Sequence, residues 1–104
     1  SVAAQREELS LAHGLAREAL AVLRPLHAAG VGGVALGARW QLANALLTAV
    51  QPVLRVEGAD AAAALLAEVR ALAEGAPEET RELFSELMLD AAELEEHVRA
   101  AGPR

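Results

Sequence analysis

Apolar side chains recur along this chain at spacings of three and four, and no stretch alternates apolar with polar residues. That is the signature of amphipathic helices rather than strands. The pattern predicts four helices, at about residues 3–29, 35–56, 61–74 and 77–101. In the first, Leu11, Leu15, Ala19, Val22 and Leu26 line one side, widened by Ala12, Ala16 and Leu23, and this side is expected to face the core. Arg6, His13, Arg17 and Arg24 share the opposite side. Pro25 removes a backbone donor, which predicts a kink or an early end in the last turn. The run Gly30-Val-Gly-Gly33 then breaks the pattern.

The second helix holds the least charged part of the chain: from Ala38 to Leu54 only Arg39 is charged. Gly37, Gln41, Asn44, Thr48, Gln51 and Arg55 fall on one narrow stripe. Leu42, Leu46, Leu47, Val50 and Val53 cover most of the remainder. A membrane span needs about 20 predominantly apolar residues. A repeating polar edge and a charge inside the apolar arc argue against one. The expectation is a helix packed on three sides, with its amide-bearing edge in water. Arg39 then needs either to snorkel out along its methylenes or to meet a carboxylate, with Glu68 and Asp90 as candidates.

Gly58 ends this helix, and Asp60 is the expected N-cap of the third, whose larger contacts are Leu65, Val69 and Leu72. Gly75 closes it. In the fourth, Pro77 followed by Glu78, Glu79 and Glu82 is a start signal, because carboxylates favour the positive end of the helix dipole. Thr80, Phe84, Leu87, Ala91, Leu94 and Val98 form a coiled-coil-like seam. Short connections between neighbours imply an all-α, antiparallel up-down-up-down four-helix bundle, one domain over residues 1–104.

Composition narrows the function more by exclusion than by assignment. The chain has 104 residues and no Cys, so there is no disulfide framework and no thiolate site. All nine basic residues are Arg and there is no Lys. Arg is therefore simply the available cation and carries little weight as a nucleic-acid signal. Residues 1–56 hold three acids and five Arg; residues 57–104 hold twelve acids and four Arg, for a net charge of −6. An acidic second half repels phosphates, so nucleic acid is not an expected partner. The opening SVAAQREEL lacks the basic and apolar run of a signal peptide, and a cytoplasmic location is expected.

Three groups of residues suggest chemistry. Glu79, Glu82, Glu86, Asp90, Glu93 and His97 lie on one face of the fourth helix, roughly opposite the seam, at spacings that suit divalent-metal binding if other helices supply ligands. By position they point outward, as a solvated face does. Within this run, Glu78-Glu79-Thr80-Arg81-Glu82 resembles the EExxE element of the all-α nucleotide pyrophosphohydrolases related to MazG. The resemblance covers five residues and implies magnesium held jointly with a later ExxD element. The nearest later element here, Glu86 with Asp90, has a different spacing.

His13 and Arg17, in Ala12-His-Gly-Leu-Ala-Arg17, resemble the exposed His and following cation of histidine phosphotransfer domains, which are four-helix bundles of similar size. The resemblance implies a phosphoryl group carried on His13 and steadied by Arg17. The Lys and Gly of that family's motif are lacking. The hairpin of helices two and three, most clearly Gly58 to Leu66, resembles a tetratricopeptide unit over about a third of the chain, without a second copy at the expected period.

The apolar content exceeds what one core of four such helices needs. The reading reached from the residues is a non-catalytic protein–protein interaction or oligomerisation domain without cofactor or metal. Its expected partner is a second copy of itself or another helical protein. Trp40, Leu47, Phe84, Leu87 and Leu94 are its candidate interface residues, and the basic stripe of helix one and the acidic stripe of helix four steer association. The alternative is a regulatory bundle using His13 and Arg17, or metal along Glu82–His97.

Overall fold

The computed structural model describes residues 2–29, 34–76 and 78–101. The expected Gly30-Val-Gly-Gly33 break and the Pro77 start signal lie outside them, as do the side chains of residues 29 and 34–38, among them Gly37 of the polar stripe. The described residues form α1 (Val2–Ala29), α2 (Val34–Val56), α3 (Ala59–Glu74) and α4 (Arg81–Ala100), with a 3-10 turn at Glu78–Thr80 leading into α4. No strand occurs among them. The fold is all-α. At 1.5 Å per residue α1 is about 42 Å long, and it accounts for most of the 46 Å long axis of the molecule. It runs through Pro25 to Ala29 rather than ending early.

The hub is α2. It packs against α1, α3 and α4, and α3 packs against α4. Among the described residues α1 has no backbone approach to α3 or α4. The core is therefore a three-helix cluster of α2, α3 and α4, with α1 laid along α2. Sequence pattern explains why α2 takes the centre. Leu42, Ala43, Leu46, Leu47, Ala49, Val50 and Val53 are all buried, which covers the helix on three sides. Gln41, Asn44, Thr48, Gln51 and Arg55 form the exposed edge.

α3 buries Ala62, Leu65, Leu66, Val69 and Leu72. α4 buries Phe84, Leu87, Ala91 and Val98, with Leu94 half-buried between them, so the expected seam faces the core. Leu20 is the one fully covered side chain among the described residues of α1, flanked by half-buried Ala16 and Leu23.

The α2–α3 corner is built on Gly58. Its φ of 107° lies in the left-handed region that a side chain makes costly. Its N–H donates to the carbonyls of Val53 and Leu54, both at 3.1 Å, and its own carbonyl accepts from Ala62 N–H at 3.2 Å. One residue thus ends α2 and caps α3. Asp60, expected at the cap, sits inside the first turn instead, where its carboxylate favours the positive end of the dipole.

Candidate functional site

The two faces of α1 are reversed relative to the sequence expectation. Its basic side turns inward. Arg17 Nε donates to Glu57 Oε2 at 2.9 Å and its Nη2 to Oε1 at 2.5 Å, a forked grip on the carboxylate at the end of α2. His13 Nε2 lies 2.7 Å from Glu57 Oε2. A carboxylate only accepts, so Nε2 carries the proton. The hydrogen bond from Arg17 and then that from His13 hold the Glu57 carboxyl below its ordinary pKa, because both stabilise the ionised form. A turn or two further on, Arg24 Nη2 donates to Glu68 Oε1 of α3 at 2.7 Å.

With these groups anchored, the leucine side of α1 faces water. Leu11 is 65% exposed, Leu15 60%, Val22 61% and Leu26 48%. The physical reason is that α1 carries two apolar arcs. Ala16, Leu20 and Leu23 share a side with His13 and lie next to the cations, so only that side satisfies Glu57, Glu68 and the α2 surface together. The larger arc is left over. Glu7 and Glu18 border it along one edge, flanking a shallow depression over Leu11, Gly14 and Leu15. Glu8 borders it on the other edge at helical spacing. Among the described residues, nothing beyond the adjoining backbone of α1 comes within 4 Å of where a Cβ on Gly14 would stand.

The residues expected at an interface are placed elsewhere. Leu47, Phe84 and Leu87 are core side chains, 7%, 3% and 5% exposed, and Leu94 is half-buried against the same core. Helical period alone does not separate a seam that faces neighbours in the same chain from one that faces another molecule. Trp40 is half-buried, and its indole Nε1 is enclosed without a hydrogen-bond partner among the described residues. The two stripes expected to steer association differ in fate: Arg17 and Arg24 are spent on intrachain pairs, whereas the stripe from Glu79 to His97 on α4 stays exposed.

Arg39 meets neither Glu68 nor Asp90. Its Nη1 donates to the Leu72 carbonyl at 3.0 Å, one of the last-turn acceptors of α3 that lack an intrahelical donor. Glu68 is taken by Arg24 instead. A Cβ on Gly75 would stand 2.9 Å from Arg39 Nη1, so the missing side chain makes room for the guanidinium. Arg39 is thus an α3 C-terminal cap.

The chemical alternatives gain no geometric support. Glu79, Glu82, Glu86, Asp90, Glu93 and His97 are all exposed, and no three His, Asp or Glu among the described residues converge to hold a metal ion. His13 spends its Nε2 on a carboxylate, whose charge opposes an incoming phosphoryl group. No helix among the described residues is long and apolar enough to cross a membrane. Comparison with protein-family models, with curated proteins and with solved structures returns no match, so the functional reading rests on geometry.

The pairing of Glu57 and Glu68 with α1 was not foreseen from the sequence. The signal available was an acid just past the end of α2 and another on α3, facing a helix with three arginines and a histidine on one side. Gly14 carries a signal of its own, because a mid-helix glycine costs about 1 kcal/mol relative to alanine.

Proposed function

We propose that this chain is a non-catalytic protein–protein interaction domain that binds through the outward face of α1. One observation carries the reading: Leu11, Leu15, Val22 and Leu26 are exposed on a helix whose other side is tied to Glu57 and Glu68. Burying a leucine-sized side chain is worth roughly 1.5–3 kcal/mol, so four such side chains exposed on one helix face are a strong drive to association. Such rows mark contact surfaces. The partner is a second copy of the chain or another helical protein, and the setting is the cytoplasm. The antiparallel up-down-up-down helix order belongs to the same reading. It is supported by Arg39, near the start of α2, meeting Leu72 near the end of α3.

Light scattering over a wide concentration range, on wild type and on Leu15→Glu with Val22→Glu, tests this. A wild-type assembly that the paired substitution dissociates supports self-association through α1. A wild-type monomer moves the expectation to a different helical partner. The reading falls if the substitutions unfold the domain as a core change does, because the leucines would then be internal contacts.

A further inference from the structure

The rim of the α1 face specifies what covers it. Glu7 and Glu18 stand on either side of Gly14 along the helix, about 16 Å apart from their sequence separation. With Glu8 they are the acids of α1, all bordering the leucine row at helical spacing, and none of the three has an ion-pair partner among the described residues. The cations of α1 are held on the other side: Arg17 by Glu57 and Arg24 by Glu68, with Arg6 sharing their helical face. Gly14 leaves a notch that no side chain among the described residues fills. An apolar row, an uncompensated acidic edge and a notch between the acids describe one complementary shape.

We infer that the outward face of α1 receives an amphipathic, arginine- or lysine-flanked helix of another protein, which seats a large apolar side chain over Gly14 and sets its cations against Glu7 and Glu18. The inference rests on the interaction reading above and adds the chemistry of the partner. A second copy of the chain fits less well, because it brings the same acids to the rim and like charges repel at close range. An anionic membrane is disfavoured for the same reason.

The test is calorimetric titration of the whole chain with two synthetic helical peptides of roughly 20 residues. Both carry leucines at helical spacing; one is flanked by arginines and the other by glutamates. The arginine peptide is expected to bind about tenfold tighter, the sum of a few exposed charge pairs, and added salt should shrink that advantage. Glu7→Gln with Glu18→Gln should abolish the advantage, and Gly14→Leu should weaken binding, each with the thermal melt confirming an intact fold. Glu82→Gln with Glu86→Gln and Glu93→Gln, on α4, should leave binding unchanged.

Equal binding of both peptides, lost with Leu15→Glu and Val22→Glu, overturns the proposed partner chemistry while the interaction face stands. Arginine-peptide binding that disappears with the α4 substitutions also overturns it. So does binding of neither peptide: a dimer that dissociates on Leu15→Glu and Val22→Glu then assigns the face to a twin, and a monomer removes the interaction reading as well. Partition of the wild type onto phosphatidylserine vesicles, lost with the same two substitutions, overturns it in favour of a lipid surface.

Discussion

Arg17 and Glu57 are forty residues apart in the chain and share a forked ion pair, with the arginine Nε and Nη2 on separate carboxylate oxygens at 2.9 and 2.5 Å. The pair, with His13 beside it, lies on the side of α1 that faces the rest of the chain. Among the described residues the backbone of α1 approaches only α2, and Leu20, buried on the same side as the pair, favours the same rotation. Which leucines meet water follows from it.

The first consequence is a pH dependence. Arg17 and His13 depress the Glu57 pKa in the folded chain, so the stabilisation is present above the unfolded carboxylate value, about 4.3, and is lost as pH falls through the folded value. Thermal melts of wild type and Glu57→Gln should differ at pH 7 and converge in strongly acidic solution. A difference that persists undiminished at low pH would assign the loss to packing instead.

The two arcs of α1 should respond oppositely to truncation. Leu20 is fully buried, and Leu20→Ala should cost about 2–5 kcal/mol, transfer and cavity together. Leu15→Gln, on the outward arc, should stay within about 0.5 kcal/mol of wild type, as surface changes do. Urea denaturation of both variants reads this directly, and a reversed order would mean that α1 is rotated.

Gly14 offers a gain. It lies inside α1 with open space around it, so Gly14→Ala should raise stability by about 0.4–1 kcal/mol through the unfolded chain and helix propensity. Chemical denaturation would show a higher midpoint with the same slope.

Arg39 and Gly75 should behave as one unit. Removing the guanidinium with Arg39→Leu leaves the Leu72 carbonyl without its side-chain donor, at a cost of about 1–3 kcal/mol. Gly75→Ala pushes a methyl toward Arg39 Nη1 and should lose part of the same energy. In the double variant the effects should fall short of additive. Strict additivity in a denaturation cycle would separate the two residues.

Much of the architecture was written locally. The narrow stripe from Gln41 to Arg55 is exposed and the leucines around it are buried, because a helix with one polar edge has only one low-energy way to face water. The α4 seam from Phe84 to Val98 was equally legible, its apolar spacing leaving a single buried side. In α1 the same logic misled. Leu11, Leu15, Val22 and Leu26 make the stronger row, yet they point outward, because a periodic pattern ranks arcs by size and says nothing about charges forty residues away. Trp40, Leu47, Phe84, Leu87 and Leu94 look like interface candidates in sequence for a related reason: apolar period identifies a surface that needs covering without naming what covers it.

By itself, then, the sequence determined that this chain is helical, where its helices lie, and that α2 is sheathed in apolar neighbours, since spacing and propensity act within a few turns of one helix. Tertiary structure alone decided that α1 lies on α2 with its cations inward and its leucines bare. That choice combines the burial of Leu20 against the core with the pairing of Glu57 and Glu68, whose carboxylates reach Arg17 and Arg24 only once the chain has folded back on itself.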